Sequence, residues 1–184
     1  QFATNLYGPL ALIRALVPGM KSRGGGRIVN IGSVSGILVT PFSGIYCATK
    51  AALHAVSDAL RMELAPFNID VMVIQPGAIE SEFGANAEAS LARTLNDNSL
   101  YESVKDGILQ RARASQDKPT PTGAFVDELL RLLDQPKPPA VARIGNGSRA
   151  FPLLAHWVPV RLLEPHTRWI QAASWAWAPG TNGA

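Results

Sequence analysis

Two uninterrupted apolar runs, separated by a long helical pattern, limit the folds open to this chain more than any other feature. The first run, RIVNIGS at residues 27–33, is rich in β-branched side chains and stops in a turn-forming segment. The second, DVMVI at residues 70–74, stops at Pro76 and Gly77. Neither run alternates apolar with polar side chains, which is typical of strands buried on both faces of a parallel sheet. The sequence therefore predicts a strand–helix–strand unit of an α/β fold.

Helical periodicity and a further short apolar run organise the rest of the chain. Residues 78–100 are small and polar with no clear period in their first half, which predicts a mobile loop leading into a helix. The whole pattern predicts a doubly wound parallel sheet with three strands and flanking helices. We expect a sheet domain over residues 1–147 and an aromatic extension over residues 148–184. The predicted helices span residues 2–22, 44–65, 100–114 and 121–135, and the third strand spans residues 140–144.

Composition excludes several classes of protein. The chain has 184 residues, of which 47% are hydrophobic and 17% charged, as in ordinary globular domains. The net charge of +3 is scattered along the chain, so no nucleic-acid partner is predicted. A single cysteine, Cys47, excludes an internal disulfide framework and favours a reducing, cytoplasmic location. The histidines His54, His156 and His166 show no metal-site spacing with it, so we predict no metal.

The aromatic extension allows three interpretations. It contains all 4 tryptophans, with arginine and proline among them, and it ends in APGTNGA. Such a mixture suits a core-facing helix, a lid over a substrate, or a segment that lies on a membrane surface. We favour lid or core, and a peripheral membrane contact stays open. The chain shows neither a run of about 18 uninterrupted apolar residues nor a leader-like start, so no spanning helix or signal peptide is predicted.

Polar residues follow the predicted strands at one edge of the sheet. Ser33 ends the first strand, and Tyr46 begins the next helix thirteen residues later, with Lys50 one turn further along the same face. Ligands of such sheets bind beyond the carboxyl ends of the strands. We therefore expect Ser33, Tyr46 and Lys50 to meet there, and Asn5 on the first helix could face the same crevice. Each residue also has a structural reading: a helix cap, a turn residue or an exposed pair.

Four motifs in order carry a resemblance to a known family. They are Asn5-x-x-Gly8, VNIGSVSG at residues 29–36, Tyr46-x-x-x-Lys50 and QPGAIES at residues 75–81. Together they resemble the classical short-chain dehydrogenase/reductase family from residue 1 to about residue 145. The resemblance implies that residues 1–147 are the catalytic portion of an NAD(P)-dependent oxidoreductase that interconverts an alcohol and a ketone or aldehyde. It implies a Rossmann-like sheet that is incomplete in this sequence. It also implies a catalytic tetrad of Asn5, Ser33, Tyr46 and Lys50.

The resemblance also assigns contacts to the nicotinamide cofactor. Tyr46 and Lys50 would hold the ribose hydroxyls, and Pro76 and Gly77 would shape the turn under the nicotinamide. The Ile79 backbone and the Ser81 hydroxyl would lie near the carboxamide or the phosphates. Ser81 stands where the family usually has threonine, a change that keeps the hydroxyl. NADP is slightly preferred over NAD, and a homo-oligomer is expected through the helix that bears Tyr46 and the helix before it.

Elementary chemistry explains these residue types. A free phenol has a pKa of about 10, too high for a base near neutrality, and an adjacent ammonium group favours the phenolate by charge attraction. We therefore expect Lys50 to tune Tyr46, which exchanges a proton with the substrate oxygen while Ser33 orients that oxygen. By the resemblance, Asn5 would support a water-mediated proton path from Lys50.

The chain opens at Gln1, and the glycine-rich phosphate turn with which the family pattern begins is not in this sequence. We expect these 184 residues to be the C-terminal portion of a longer protein. By themselves they should bind nicotinamide cofactor poorly and turn over nothing measurable.

The substrate is expected to be apolar, such as a lipid, retinoid or steroid-like alcohol. The alternatives are a non-catalytic binding or scaffold protein that keeps the tetrad, and a serine hydrolase built on Ser33. The second lacks G-x-S-x-G spacing.

Overall fold

A computed structural model describes residues 1–94, 99–159 and 161–162. Within these residues the sheet has three parallel strands, β1 (Gly26–Ile31), β2 (Ile69–Pro76) and β3 (Val141–Ile144), in the order β1-β2-β3. In the register of the sheet Gly26 pairs with Ile69, and Val73 pairs with Val141. The predicted α/β fold with a Rossmann-like, three-stranded parallel sheet is confirmed.

Helices join and cover these strands. A π-helical turn at Ala3–Tyr7 leads directly into the first α-helix, and short 3-10 turns occur at Val34–Gly36, Ala65–Phe67, Glu102–Val104 and Ala114–Gln116. The α-helices of the described residues are α1 (Gly8–Ser22), α2 (Gly44–Leu64), α3 (Phe83–Thr94), α4 (Lys105–Arg113), α5 (Thr122–Leu133) and α6 (Ala150–Trp157).

The central strand β2 is buried on both faces because successive side chains of a strand point to opposite sides. Val71 packs on one face with β1 and with residues of α1 and α2, in a cluster that includes Ile13 and Leu64. Met72 and Ile74 pack on the other face with β3 and with Leu132 of α5. Helices therefore cover both faces of the sheet, which explains why the strand sequences do not alternate.

One predicted loop is wrong. Residues 78–100 were expected to lack structure, but Phe83–Thr94 forms helix α3. Its contact with the following turn is made by Gly84, which is buried, and a Cβ at this position would lie 2.8 Å from Cγ of Gln116. Because most residues of α3 are small, the hydrophobic period by which a helix is predicted from sequence is weak here.

The next predicted helix, over residues 100–114, is only partly helical. Its first residues form a turn and the 3-10 segment Glu102–Val104, so α4 itself begins at Lys105 and ends at Arg113. The loss of the first turn has an ordinary cause, because helix ends often tighten into 3-10 geometry.

The aromatic extension begins with helix α6, on which Phe151, Leu153, Leu154 and Trp157 are exposed. Trp169, Trp175 and Trp177 lie outside the described residues, so the choice between lid, core helix and membrane-surface segment remains a prediction, as does the boundary at residue 147. Among the described residues there is no helix with the length and apolar character needed to cross a membrane.

Candidate active site

Ser33 is fixed at the carboxyl edge of the sheet. It is buried, and its hydroxyl accepts a hydrogen bond of 3.1 Å from the Ser35 backbone N–H, capping the 3-10 turn that follows. The Gly32 N–H donates to the Ile74 carbonyl at 2.7 Å, which ties the end of β1 to the end of β2. The position of the Ser33 hydroxyl is thus set by the strand, the cap and the neighbouring strand together.

Tyr46 and Lys50 lie on one face of α2 and meet the same edge. The Lys50 ammonium donates to the Ile31 carbonyl at 2.8 Å and lies 5.8 Å from the centroid of the Tyr46 ring. The Tyr46 ring contacts Phe83 of α3, with 5.3 Å between ring centroids. The structure therefore brings Ser33, Tyr46 and Lys50 together, as the sequence predicts.

Burial controls the ionisation of this pair. The pKa of Tyr46 is raised, chiefly because the phenol is desolvated; a hydrogen bond with Ser33 and the positive charge of Arg111 oppose this rise. Burial lowers the pKa of Lys50. Desolvation thus outweighs the Ser33 contact and the Arg111 charge at the Tyr46 phenol, and the tuning of Tyr46 by Lys50 stays a prediction.

Asn5 reaches the same helix through an intermediate residue. Its side-chain amide donates to the Thr49 hydroxyl at 3.1 Å, and that hydroxyl donates to the Tyr46 carbonyl at 2.7 Å. Thr49 is fully buried. Asn5 lies in the π-helical turn, a geometry that is often found at functional sites. The structure places Asn5 against the residue that precedes Lys50, and no pattern in the sequence predicts the π-turn.

Pro76 and Gly77 form the turn at the end of β2. The Gly77 N–H donates to the Ile144 carbonyl at 2.9 Å. A Cβ at Gly77 would lie 2.0 Å from the Asn146 carbonyl oxygen, so only glycine permits this approach of the two segments. The turn thus directs the chain across the edge of the sheet towards α3.

Ile79 and Ser81 continue from this turn. Ile79 forms a β-bridge with Thr120. In this bridge the Thr120 N–H donates to the Ala78 carbonyl and the Glu80 N–H donates to the Thr120 carbonyl, so the Ile79 N–H is not used. The Ser81 hydroxyl donates to the Ile79 carbonyl at 3.3 Å and accepts from the Phe83 N–H at 3.4 Å. Ser81 therefore stabilises the start of α3 in addition to lying at the edge.

His54 is a site residue for which the sequence predicts no role beyond the absence of metal-site spacing. It lies one turn beyond Lys50, and its Nε2 accepts a hydrogen bond of 3.3 Å from the Ser33 N–H. Gly32 and Gly36 make room for the ring: Cβ atoms there would lie 2.3 Å from Nε2 and 2.6 Å from Cε1. Burial lowers the pKa of His54. Its spacing, four residues after Lys50 and eight after Tyr46, was a usable signal because these positions share one helix face.

Arg111 of α4 is the second residue that the sequence did not reveal. Its guanidinium donates a short hydrogen bond to the Thr40 hydroxyl, in the loop between Ser33 and Tyr46. Its positive charge opposes the rise in the pKa of the Tyr46 phenol. No short-range pattern connects residues 40, 46 and 111, so this contact could not be read from the sequence.

Comparison with known proteins agrees with the geometry. Residues 1–92, half of the chain, match a family model described as short chain dehydrogenase. A 3-ketodihydrosphingosine reductase from Bacteroides thetaiotaomicron is 28% identical over 168 residues, which cover 89% of this chain and 61% of that protein.

Solved structures show the same likeness. The crystal structure of a short-chain dehydrogenase from Streptomyces avermitilis matches 94% of this chain and 61% of its own, with 27% identity and a TM-score of 0.66. The closed form of serine dehydrogenase complexed with NADP+ matches 79% of this chain and 54% of its own, with 25% identity and a TM-score of 0.60. This chain thus spans 54–61% of the lengths of these three relatives.

Proposed function

Because the chain belongs to the short-chain dehydrogenase family, we propose that it carries the reaction centre of an NAD(P)-dependent oxidoreductase that interconverts an alcohol and a ketone or aldehyde. The observation that carries the proposal is the convergence of Ser33, Tyr46 and Lys50 at the carboxyl edge of the sheet. Phenol, hydroxyl and ammonium groups in this arrangement can hold a substrate oxygen and move a proton to or from it.

Tyr46 is the proton donor and acceptor in this proposal. Burial raises the pKa of its phenol, so the phenol is protonated at neutral pH and ready to donate to a carbonyl oxygen. The Ser33 hydroxyl, held at the end of β1, hydrogen-bonds to the same oxygen and orients it. Carbonyl reduction is the direction that needs no prior ionisation of Tyr46.

Lys50 and Asn5 support the proton path. Lys50 uses one N–H to hold the Ile31 carbonyl, and an ammonium group has two further donors to offer. Asn5 holds Thr49, next to Lys50, through its side-chain amide. We assign Asn5 to positioning of this face of α2 and to the water-mediated relay from Lys50 towards solvent.

The donor set fits a nicotinamide riboside. The remaining Lys50 N–H groups and the Tyr46 phenol suit ribose hydroxyls, and the Ile79 N–H is not used by its bridge with Thr120. Pro76 and Gly77 form the turn beneath that position, and Ser81 adds a hydroxyl. When bound, the nicotinamide supplies or accepts the hydride. We propose NADP over NAD, supported by the NADP+ complex of the structural relative.

An apolar substrate is favoured by the rings near the phenol. Phe83 contacts Tyr46, and Phe42 contacts Tyr101 edge-on at 5.9 Å between centroids, in the neighbouring segments. One relative bears the name 3-ketodihydrosphingosine reductase, which supports a keto compound as substrate. A lipid, retinoid or steroid-like alcohol or ketone is therefore our proposed substrate class.

Assembly and location are part of the same proposal. Leu12 and Leu16 of α1 and Met62 of α2 are exposed, which supports a homo-oligomer formed through these helices. The buried thiol of Cys47 has no disulfide partner among the described residues, which supports a cytoplasmic location. Residues 1–147 would form the catalytic domain and residues 148–184 its lid or tail.

The decisive experiment replaces the phenol in the full-length protein. Tyr46→Phe keeps the ring against Phe83 and removes the proton donor, so kcat should fall by about 10²- to 10⁴-fold in a ketone-reduction assay with NADPH. The matched control is Tyr7→Phe, because Tyr7 is 61% exposed; it should retain wild-type kcat.

Other outcomes identify the alternatives. Full activity of Tyr46→Phe would overturn the proposal. Wild-type ester hydrolysis that is lost in Ser33→Ala and kept in Tyr46→Phe would indicate a serine hydrolase. A folded, full-length wild-type protein that reduces no ketone in a broad panel with either NADH or NADPH would support the non-catalytic binding or scaffold alternative.

A further inference from the structure

Arg111 differs from the other partly buried arginines of the described residues. Arg27 contacts Asp70 at 3.4 Å, and Arg61 contacts Asp58 at 2.8 Å, so each has a carboxylate nearby. Arg111 has no acidic partner within the part of the chain that the structure describes. A guanidinium is charged at every physiological pH, so this positive charge is held in a partly desolvated place without a counter-charge.

The hydrogen-bonding state of Arg111 is also incomplete. One Nη group donates to the Thr40 hydroxyl, whereas the buried Nε has no hydrogen-bond partner in the described structure. Leaving a buried donor unpaired costs about 1–3 kcal/mol, and more for a charged group. A fold tolerates such a cost at a position where a ligand supplies the missing partner.

The position of the Arg111 guanidinium indicates where such a ligand binds. Its charge acts on the Tyr46 phenol, and its partner Thr40 lies in the loop that joins Ser33 to Tyr46. An anion bound by Arg111 therefore lies by the loop that leads from Ser33 into Tyr46. We take it to belong to the same molecule as the oxygen that Ser33 and Tyr46 would hold.

We propose that Arg111 binds a carboxylate carried by the substrate itself, so that the enzyme acts on hydroxy acids or keto acids with an apolar chain. The proposal rests on the oxidoreductase function assigned above and names its substrate class more closely. The planar fork of a guanidinium matches the two oxygens of a carboxylate, and such charge-assisted bonds are stronger than neutral ones. The ring of Phe83, which contacts Tyr46, supplies apolar surface for the chain.

The test compares an acid with its neutral ester in the full-length protein. Oxidation of 3-hydroxydecanoate and of methyl 3-hydroxydecanoate is followed through NADPH or NADH formation. One charge-assisted hydrogen bond corresponds to roughly a 10- to 100-fold ratio, so wild-type kcat/KM should favour the acid by about that factor. Arg111→Gln should bring the ratio close to one, mainly through KM, and Arg111→Lys should keep part of it.

Arg113 provides the matched control. It lies two residues further along α4, is exposed and pairs with Glu88, so Arg113→Gln should keep the wild-type preference for the acid. Two results would overturn the proposal: equal wild-type kcat/KM for acid and ester, or an unchanged ratio in Arg111→Gln with both rates lowered. The second result would mean that Arg111 only fastens α4 to the Thr40 loop.

Failure of the oxidoreductase function itself gives a different pattern. If neither compound is oxidised, decanoate binding is measured by calorimetry on wild type, Arg111→Gln and Arg113→Gln. Weaker binding by about 10- to 100-fold in Arg111→Gln alone supports the carboxylate site without any turnover. Equal binding in all three proteins, or no binding to any of them, rejects the site.

Discussion

Buried polar groups inside the β1–α2–β2 unit have hydrogen-bond partners, whereas the arginine on α4 has a buried donor without one in the described structure. In the unit, the buried Asn30 amide donates to the Ser57 hydroxyl at 2.8 Å, which in turn donates to the Leu53 carbonyl at 2.6 Å. On α4, Arg111 keeps a buried N–H without a partner and a charge without an acid in the described structure.

This difference in hydrogen bonding distinguishes polar groups that stabilise the fold from a group that we assign to ligand binding. A satisfied buried network fixes the distance between β1 and α2, and thus the distance between Ser33 and Tyr46. Apart from its hydrogen bond to Thr40, the unpaired Arg111 cation gains no ion-pair energy in the free protein, and we attribute its position to ligand binding. Substitutions in the two regions should therefore have opposite effects on stability.

The largest expected effect on stability is in the network. Ser57→Ala removes the acceptor of the Asn30 amide and leaves a buried donor unpaired, so the free energy of unfolding should fall by about 1–3 kcal/mol in urea titrations. The control is Ser22→Ala, because the Ser22 hydroxyl also bonds a carbonyl, that of Gly19, but is exposed. If Ser57→Ala and Ser22→Ala lowered the free energy of unfolding equally, burial of the hydrogen bond would not explain its contribution to stability.

A smaller, pH-dependent effect is expected from His54. Neutral Nε2 accepts from the Ser33 N–H, and burial beside Lys50 lowers the His54 pKa from its usual 6.5, with Asp58 opposing. The folded state therefore binds fewer protons than the unfolded state, and stability is lost as pH falls from about 6.5 through the lowered pKa, by at most about 1.4 kcal/mol per pH unit.

Replacing His54 tests this assignment. His54→Gln keeps an acceptor without a titrating ring, so the unfolding free energy should lose that part of its slope between pH 6.5 and 4.5. The control His156→Gln changes an exposed ring far along the chain on α6, and its slope should match wild type. An unaltered slope in His54→Gln would show that the Ser33 contact does not depend on the charge of this ring.

The smallest effect should come from Arg111. Arg111→Met replaces an unpaired, partly buried charge with an apolar side chain, so the free energy of unfolding should change by less than about 0.5 kcal/mol or rise. Arg61→Met is the comparison, because Arg61 donates to the Val71 carbonyl at 2.9 Å and pairs with Asp58; it should destabilise by about 1 kcal/mol. A loss as large for Arg111 as for Arg61 would mean that Arg111 is a structural residue.

Local pattern was sufficient for the elements with a strong period. The non-alternating runs at β1 and β2 and the apolar spacing of α2 and α5 predicted the parallel sheet and its covering helices. The four-residue spacing of Tyr46 and Lys50 and the position of Ser33 after β1 predicted their meeting at one edge. Helix α3 was missed because most of its residues are small and carry a weak hydrophobic signal.

By itself, the sequence determined the strand–helix–strand unit, the family and the side of the sheet at which its motifs meet, since these depend on periodicity and on neighbours along one helix. Only the tertiary structure decided the ionisation of Tyr46, the contact of His54 with Ser33 and the place of Arg111. Burial and long-range charge depend on how distant segments pack, and a linear pattern does not encode those distances.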